Sequence, residues 1–235
     1  MFAIINVSQT NAIFRKSQIY SQRVTLANDE AFFIVTAEKS YGRVPWKKLE
    51  SSMGILRKDV ILAKGLEKPK CSISEFEPDI FPRILLINTA IDRLKAHKYK
   101  SLIIIDEKCI YMKYIRQLID SFERIRVITP EAEKYEPIAR ELMETYGFSL
   151  EVSAEASYGG DVVISHRCDV PLYFSGLVFS NERKFLMNAQ VITGGEIVLP
   201  QDYDKLRPDG IDPLLFASAL YEKCNVTELG SLKYI

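Results

Sequence analysis

Residues 101–106 read Ser101-Leu102-Ile103-Ile104-Ile105-Asp106, and this stretch decides the fold. Four consecutive apolar residues, three of them β-branched, suit a strand buried on both faces of a parallel sheet. The pattern after it alternates. A helix is expected over Tyr111–Phe122, with Ile115, Leu118, Ile119 and Phe122 as its apolar stripe, followed by a strand at Ile125–Ile128. A second helix is expected over Glu136–Tyr146, ended by Gly147 in a left-handed cap, and then a strand at Phe148–Val152. Two strand-helix-strand crossovers in succession imply a parallel sheet with right-handed connections.

Burial patterns also suggest the order of the strands. Phe148, Leu150 and Val152 alternate with Ser149 and Glu151, as on a sheet edge, whereas Val162-Val163-Ile164 is a continuous apolar run that suits an interior position. An order 3-2-1-4, with the strand at 161–164 returning beside the one at 101–105, satisfies both. The fold class expected is therefore α/β, a Rossmann-like, mainly parallel, doubly wound sheet preceded by a small α+β unit.

Upstream, Phe2–Asn6, Arg23–Leu26 and Ala31–Ala37 have strand composition and point to a small antiparallel unit. Pro45 suits the start of a helix whose face carries Trp46, Leu49, Met53 and Leu56, and Asp59–Ala63 reads as a further strand. Residues 67–78, with two prolines and little periodicity, read as a linker. The division expected is thus a unit over residues 1–70 and a Rossmann-like domain over 79–235, the latter opened by a helix from Asp79 and Pro82 to about His97. Downstream, Gln190–Ile192 and Glu196–Leu199 flank Thr193-Gly194-Gly195 and read as a hairpin. Asp212 and Pro213 open a helix, Leu214–Lys223, that is apolar around most of its circumference; such a helix is expected to be buried, within the chain or in a homodimer.

Composition sets the class. The chain has 235 residues, 47% hydrophobic and 26% charged, and no run approaching the roughly 20 apolar residues that span a bilayer, so no membrane association is expected. Cys71, Cys109, Cys168 and Cys224 lack the paired spacing of metal or redox motifs, so no metal site is expected. Scattered thiols and an N-terminus without the basic start of an export signal predict a cytoplasmic setting. Lys and Arg balance Asp and Glu at 31 each, yet residues 1–70 hold 12 basic against 6 acidic residues. An anion-binding role for that first part, through Arg43, Lys47 and Lys48, is one reading; the excess is too small to suggest nucleic acid as a partner.

The turn after the first strand of the parallel sheet would carry glycines in a dinucleotide site. Here it reads Asp106-Glu107-Lys108-Cys109, and two carboxylates there argue against a pyrophosphate, so no cofactor is indicated. The acidic pair resembles, over this one turn, that of response-regulator receiver domains; the phospho-acceptor position at the end of the third strand falls at Val152 and Ser153, and no receiver function follows. What remains is position: ligands of open α/β sheets bind outside the carboxyl ends of the strands where strand order reverses. That crevice lies between Asp106, Glu107 and Lys108 and, opposite, Ser165, His166 and Arg167, with a carboxylate expected to approach the histidine. No catalytic constellation is recognisable. The leading reading is a non-catalytic protein binding a small molecule or a partner, and the rival is an enzyme of unfamiliar type working at the same crevice.

Overall fold

The computed structural model describes residues 1–8, 18–39, 43–155, 158–229 and, for the backbone, 231–233. Arg15 and Lys16, part of the basic excess of residues 1–70, lie outside the described residues. The chain forms two compact units, one of residues 1–81 with 197–231 and one of residues 82–196 with 232–235.

The first unit is built on a four-stranded sheet of β1 (Ala3–Ser8), β2 (Ile19–Thr25), β3 (Ala31–Glu38) and β4 (Val60–Leu62), in the order β2-β3-β1-β4. Strands β2 and β3 form the expected antiparallel hairpin, turned by Asp29 in the left-handed region. However, β1 runs parallel to both β3 and β4, so the sheet is mixed rather than antiparallel. One face of β1, Ala3 and Ile5, packs with Leu49 and Met53 of α1 (Trp46–Met53), the helix face expected. Residues 67–78 are not a linker. Ile73 and Phe76 are buried, the Val60 amide donates to the Ser74 carbonyl at 3.1 Å, and the Phe76 amide donates to Val60 at 2.9 Å, so the segment is hydrogen-bonded along β4.

One helix takes the chain from the first unit into the second. Helix α2 (Ile80–Leu94) begins in the first unit and continues in the second. Before it, the Glu222 carboxylate accepts from the amides of Asp79, Ile80 and Phe81 at 3.0, 2.8 and 3.0 Å, which supplies the partners that a helix start lacks.

In the second unit, β5 (Tyr99–Ile105), β6 (Phe122–Ile128), α3 (Glu136–Tyr146), β7 (Leu150–Ser153), β8 (Val162–Ser165), β9 (Ser175–Phe179) and β10 (Asn188–Ile192) follow in sequence. All six strands are parallel, in the order β10-β9-β8-β5-β6-β7. This contains the expected 3-2-1-4 and extends it to 3-2-1-4-5-6, the order of Rossmann-like sheets. The alternating strand, β7, is at the edge, and the uniformly apolar one, β8, lies inside.

Two local expectations are corrected. Residues 111–122 are not an α-helix: they form 3-10 turns at Met112–Gln117 and Ile119–Ser121, and β6 begins already at Phe122. Amides of Tyr114, Leu118 and Ser121 donate to the carbonyls three residues back, at 2.9 Å each, a tighter winding that still turns Tyr111, Ile115 and Leu118 inward. Nor do residues 190–199 form a hairpin. β10 pairs in parallel with β9, while β11 (Glu196–Val198) pairs with β12 (Ser231–Lys233) in a separate ladder.

Among the described residues of the second unit, helices pack on one face of the six-stranded sheet. Leu102, Ile104, Ile125, Val127, Val162, Ile164 and Phe179 pack there with α2, the 3-10 segment and α3. The opposite row, Val191–Val178–Val163–Ile103–Arg126–Glu151, meets the loops after β8 and β9 over its apolar end, through Cys168, Val170, Phe174 and Leu186. Its polar end closes with an ion pair, Arg126 to Glu151 at 2.7 Å. Crossovers that would carry helices in a doubly wound sheet are short loops here.

The chain then enters the first unit again through α4 (Gln201–Asp204) and α5 (Pro213–Cys224). Asp212 caps α5 by accepting from the Leu215 amide at 2.9 Å, as the sequence suggests. The helix is buried within its own unit: the Phe216 ring sits edge-on to Phe32 and Phe2, at 5.5 and 6.3 Å between centroids, and those two rings stack at 5.0 Å. Its apolar surface therefore gives no motive for pairing between copies. This return also cancels the charge asymmetry, because residues 1–81 and 197–231 together hold 15 basic and 15 acidic residues. Among the described residues no helix is long and apolar enough to cross a membrane.

If α5 closes the first unit, Phe216→Ala should cost about 3–5 kcal/mol by emptying a fully buried aromatic site. Urea unfolding checks this, with Leu172→Ala, an exposed position, as a control expected within about 0.5 kcal/mol of wild type.

Candidate functional site

The carboxyl ends of β5 and β8 are neighbours, with Ile105 in register with Ile128 on one side and Ser165 on the other. Residues 106–108 and 165–167 therefore leave the sheet side by side, although their side chains take different partners.

Asp106 is fully buried and organises the turn. Its carboxylate accepts from the Ile110 amide at 3.0 Å, the Tyr111 amide at 2.7 Å and the Tyr135 hydroxyl, while its own amide continues the ladder to Ile128. Glu107 is half-exposed, with Oε2 3.8 Å from Nη2 of Arg83, a guanidinium buried in the first turns of α2. Lys108 and Arg167 are exposed, and the Ser165 hydroxyl donates to the Arg167 carbonyl.

His166 is held by Asn181. The Asn181 amide donates to the His166 carbonyl at 3.2 Å, and its side-chain Nδ2 lies 3.0 Å from the Pro82 carbonyl and 2.9 Å from His166 Nδ1. A carbonyl can only accept, so the carboxamide must present its NH2 group to Pro82, and the same nitrogen donates to Nδ1. The neutral imidazole then carries its proton on Nε2.

The neighbouring ionisable groups do not look activated. Cys109, left-handed at φ 56°, has a thiol pushed up by burial, an effect partly offset by its contact with Thr129 and reinforced by Asp106. Tyr135 is pushed far above the ordinary phenol range by burial and by the Asp106 charge, so it stays a donor at all ordinary pH values. Among the described residues, no group of three or more His, Cys, Asp or Glu side chains is placed to hold a metal ion. Arg83, Lys108, His166 and Arg167 thus stand around a carboxylate already committed to the turn.

Sequence reasoning missed Arg83, Asn181 and Tyr135. An arginine inside the apolar start of a helix, Ile80-Phe81-Pro82-Arg83-Ile84, was a usable signal; nothing local marks the other two.

No family model matches the chain, and no curated protein matches it in sequence. Among solved structures, it is similar to the Δ1-pyrroline-2-carboxylate reductase of Thermococcus litoralis, determined in complex with NADH and L-proline, at a TM-score of 0.32 and 11% identity. The match covers 70% of this chain and 58% of that one, so the chain spans under two thirds of the reductase. At that similarity neither the reductase's cofactor nor its substrate transfers to this protein.

Tyr135→Phe should destabilise by about 1–3 kcal/mol at neutral pH, since Asp106 loses one donor inside the core. A phenol raised in the folded state contributes stability that is complete below its ordinary value of 10.0 and is lost as the pH rises beyond it. Unfolding followed at pH 7 and at about pH 10.5 should therefore show a fall in wild type that is smaller in the Phe variant.

Proposed function

We propose that the protein is a non-catalytic binding protein, and that its ligand is a small polar molecule docked over the carboxyl ends of β5 and β8. The observation that supports this most is the reversal of strand order at β5: the chain builds β6 and β7 on one side and β8, β9 and β10 on the other. Sheets of this type leave a crevice there. Arg83, Glu107, His166 and Asn181 gather at it from four separate parts of the chain. A binding role is favoured over turnover because the buried Asp106 is engaged by three donors and the Cys109 thiol is held in its neutral form. We place the protein in a reducing, cytoplasmic setting, in keeping with four cysteines that are all unpaired.

A thermal-shift screen over nucleotides, sugars, amino acids and divalent metals tests the reading. A ligand at about 100 times its Kd should add about 2.7 kcal/mol of stability. His166→Ala should abolish the shift and His97→Ala, at an exposed position, should keep it. A shift retained by both variants would remove the crevice from consideration, and consumption of the hit would replace binding with catalysis.

A second reading, partner binding, is favoured by the loops over the helix-free face. Phe185 and Met187 are 86% and 82% exposed on either side of buried Leu186, and Leu172 and Tyr173 are exposed in the neighbouring loop. Lys184 ties the two loops together by donating to the Cys168 carbonyl at 3.1 Å. The charges around these residues are of both signs: Arg167, Arg183 and Lys184 against Asp169 and Glu182. A mixed rim is complementary to itself across a two-fold axis, so we assign this face to a second copy of the chain. Light scattering should give a dimer for wild type and a monomer for Phe185→Ser with Met187→Ser, at unchanged melting temperature. A monomeric wild type at about 0.5 mM, far above the Kd of a stable dimer, would overturn it.

A further inference from the structure

Between α2 and β10 the second unit carries an open groove of about 370 Å³, within the usual range for small-molecule sites. Its walls are Thr89 and Arg93 of α2, Arg183 of the loop after β9, Gln190 of β10, and Thr193 and Gly195 just beyond. Among the described residues, the ionisable ones that line it are two arginines. This stands out in a chain whose acidic and basic residues are equal in number.

The groove is built rather than incidental. The Gly195 amide donates to the Thr89 hydroxyl at 3.0 Å, and that hydroxyl donates to the Leu85 carbonyl at 2.7 Å, which fixes the 193–195 segment on the helix. Gly194 permits this approach: a Cβ there would come within 2.8 Å of Asn181 Oδ1 and 3.8 Å of the Leu86 backbone. One wall is thus set by backbone and buried hydroxyl, while the two guanidinium groups come from different elements.

We propose that this groove binds the phosphate group of a small phosphorylated molecule. A guanidinium recognises an oxyanion through two parallel N–H donors. A carboxylate presents one such edge, whereas a tetrahedral phosphate presents several and can engage two arginines from separate directions. The Thr193 hydroxyl and Gln190 carboxamide are suited to the hydroxyl groups of an attached sugar. The site is distinct from the crevice at Arg83 and His166. Arg93 lies ten residues further along α2, roughly 15 Å at the helical rise, and Asn181 separates the two, with its NH2 toward His166 and its oxygen against Gly194.

Titration calorimetry with glucose 6-phosphate, with glucose and with sodium chloride at matched ionic strength tests this. Binding of the phosphate ester, with neither glucose nor chloride giving a signal, is expected. Arg93→Gln with Arg183→Gln should weaken it roughly tenfold or more, the loss of charge-assisted hydrogen bonds, while the melting temperature stays put because both residues are exposed. His166→Ala should bind as wild type does. Equal binding by the double arginine variant, or no binding by wild type, overturns the groove. His166→Ala reports on the crevice alone, so the two sites fail separately.

Discussion

One buried carboxylate holds the second unit together. Asp106 ends the central strand, and its oxygens gather amides from the turn that follows and a hydroxyl from the segment before α3. Three pieces of chain are therefore anchored at one point, and that point lies at the mouth of the sheet. Burying a charge is costly unless it is met by donors, and here there are three. The arrangement shapes the adjoining chemistry as well. The Asp106 charge helps keep Tyr135 and Cys109 protonated, so the centre of the edge is rigid and chemically quiet. Arg83, Lys108, His166 and Arg167 lie around it.

The parallel sheet was legible because its signals are local. Continuous apolar runs at 102–105 and 162–164 and the alternation at 148–152 were enough to order four strands, and the order placed residues 106–108 beside 165–167. Where partners lie far apart in the chain, local reading failed. The stripe at 111–122 looks helical because Tyr111, Ile115 and Leu118 must point inward, yet 3-10 turns meet the same requirement. Gly194 and Gly195 resemble hairpin glycines; their role is close approach to α2, a contact over 100 residues away in sequence. Arg83 and Asn181 acquire meaning only once α2 and the loop after β9 meet.

Covering a parallel sheet with helices on one face alone leaves the other dependent on loops. Cys168, Val170, Phe174 and Leu186 turn inward from the two crossovers and shield the apolar end of the row, which is why neighbours such as Phe185 and Met187 are forced outward. At the other end of the row, Arg126 and Glu151 meet water with an ion pair instead. One row of side chains thus passes from core to surface within six strands.

Because residues 197–231 join residues 1–81 in one unit, residues 82–196 are inserted within it. Synthesis is vectorial, so Phe2 and Phe32 leave the ribosome long before Phe216, the ring that covers them. At about 5–20 residues per second, the 184 residues from 33 to 216 take roughly 10–40 s to translate. For that interval the aromatic side of the nascent sheet has no lid, while the inserted unit, whose strands are contiguous in sequence, can already be folded. Until Phe216 emerges, the unfinished first unit offers a hydrophobic surface to chaperones.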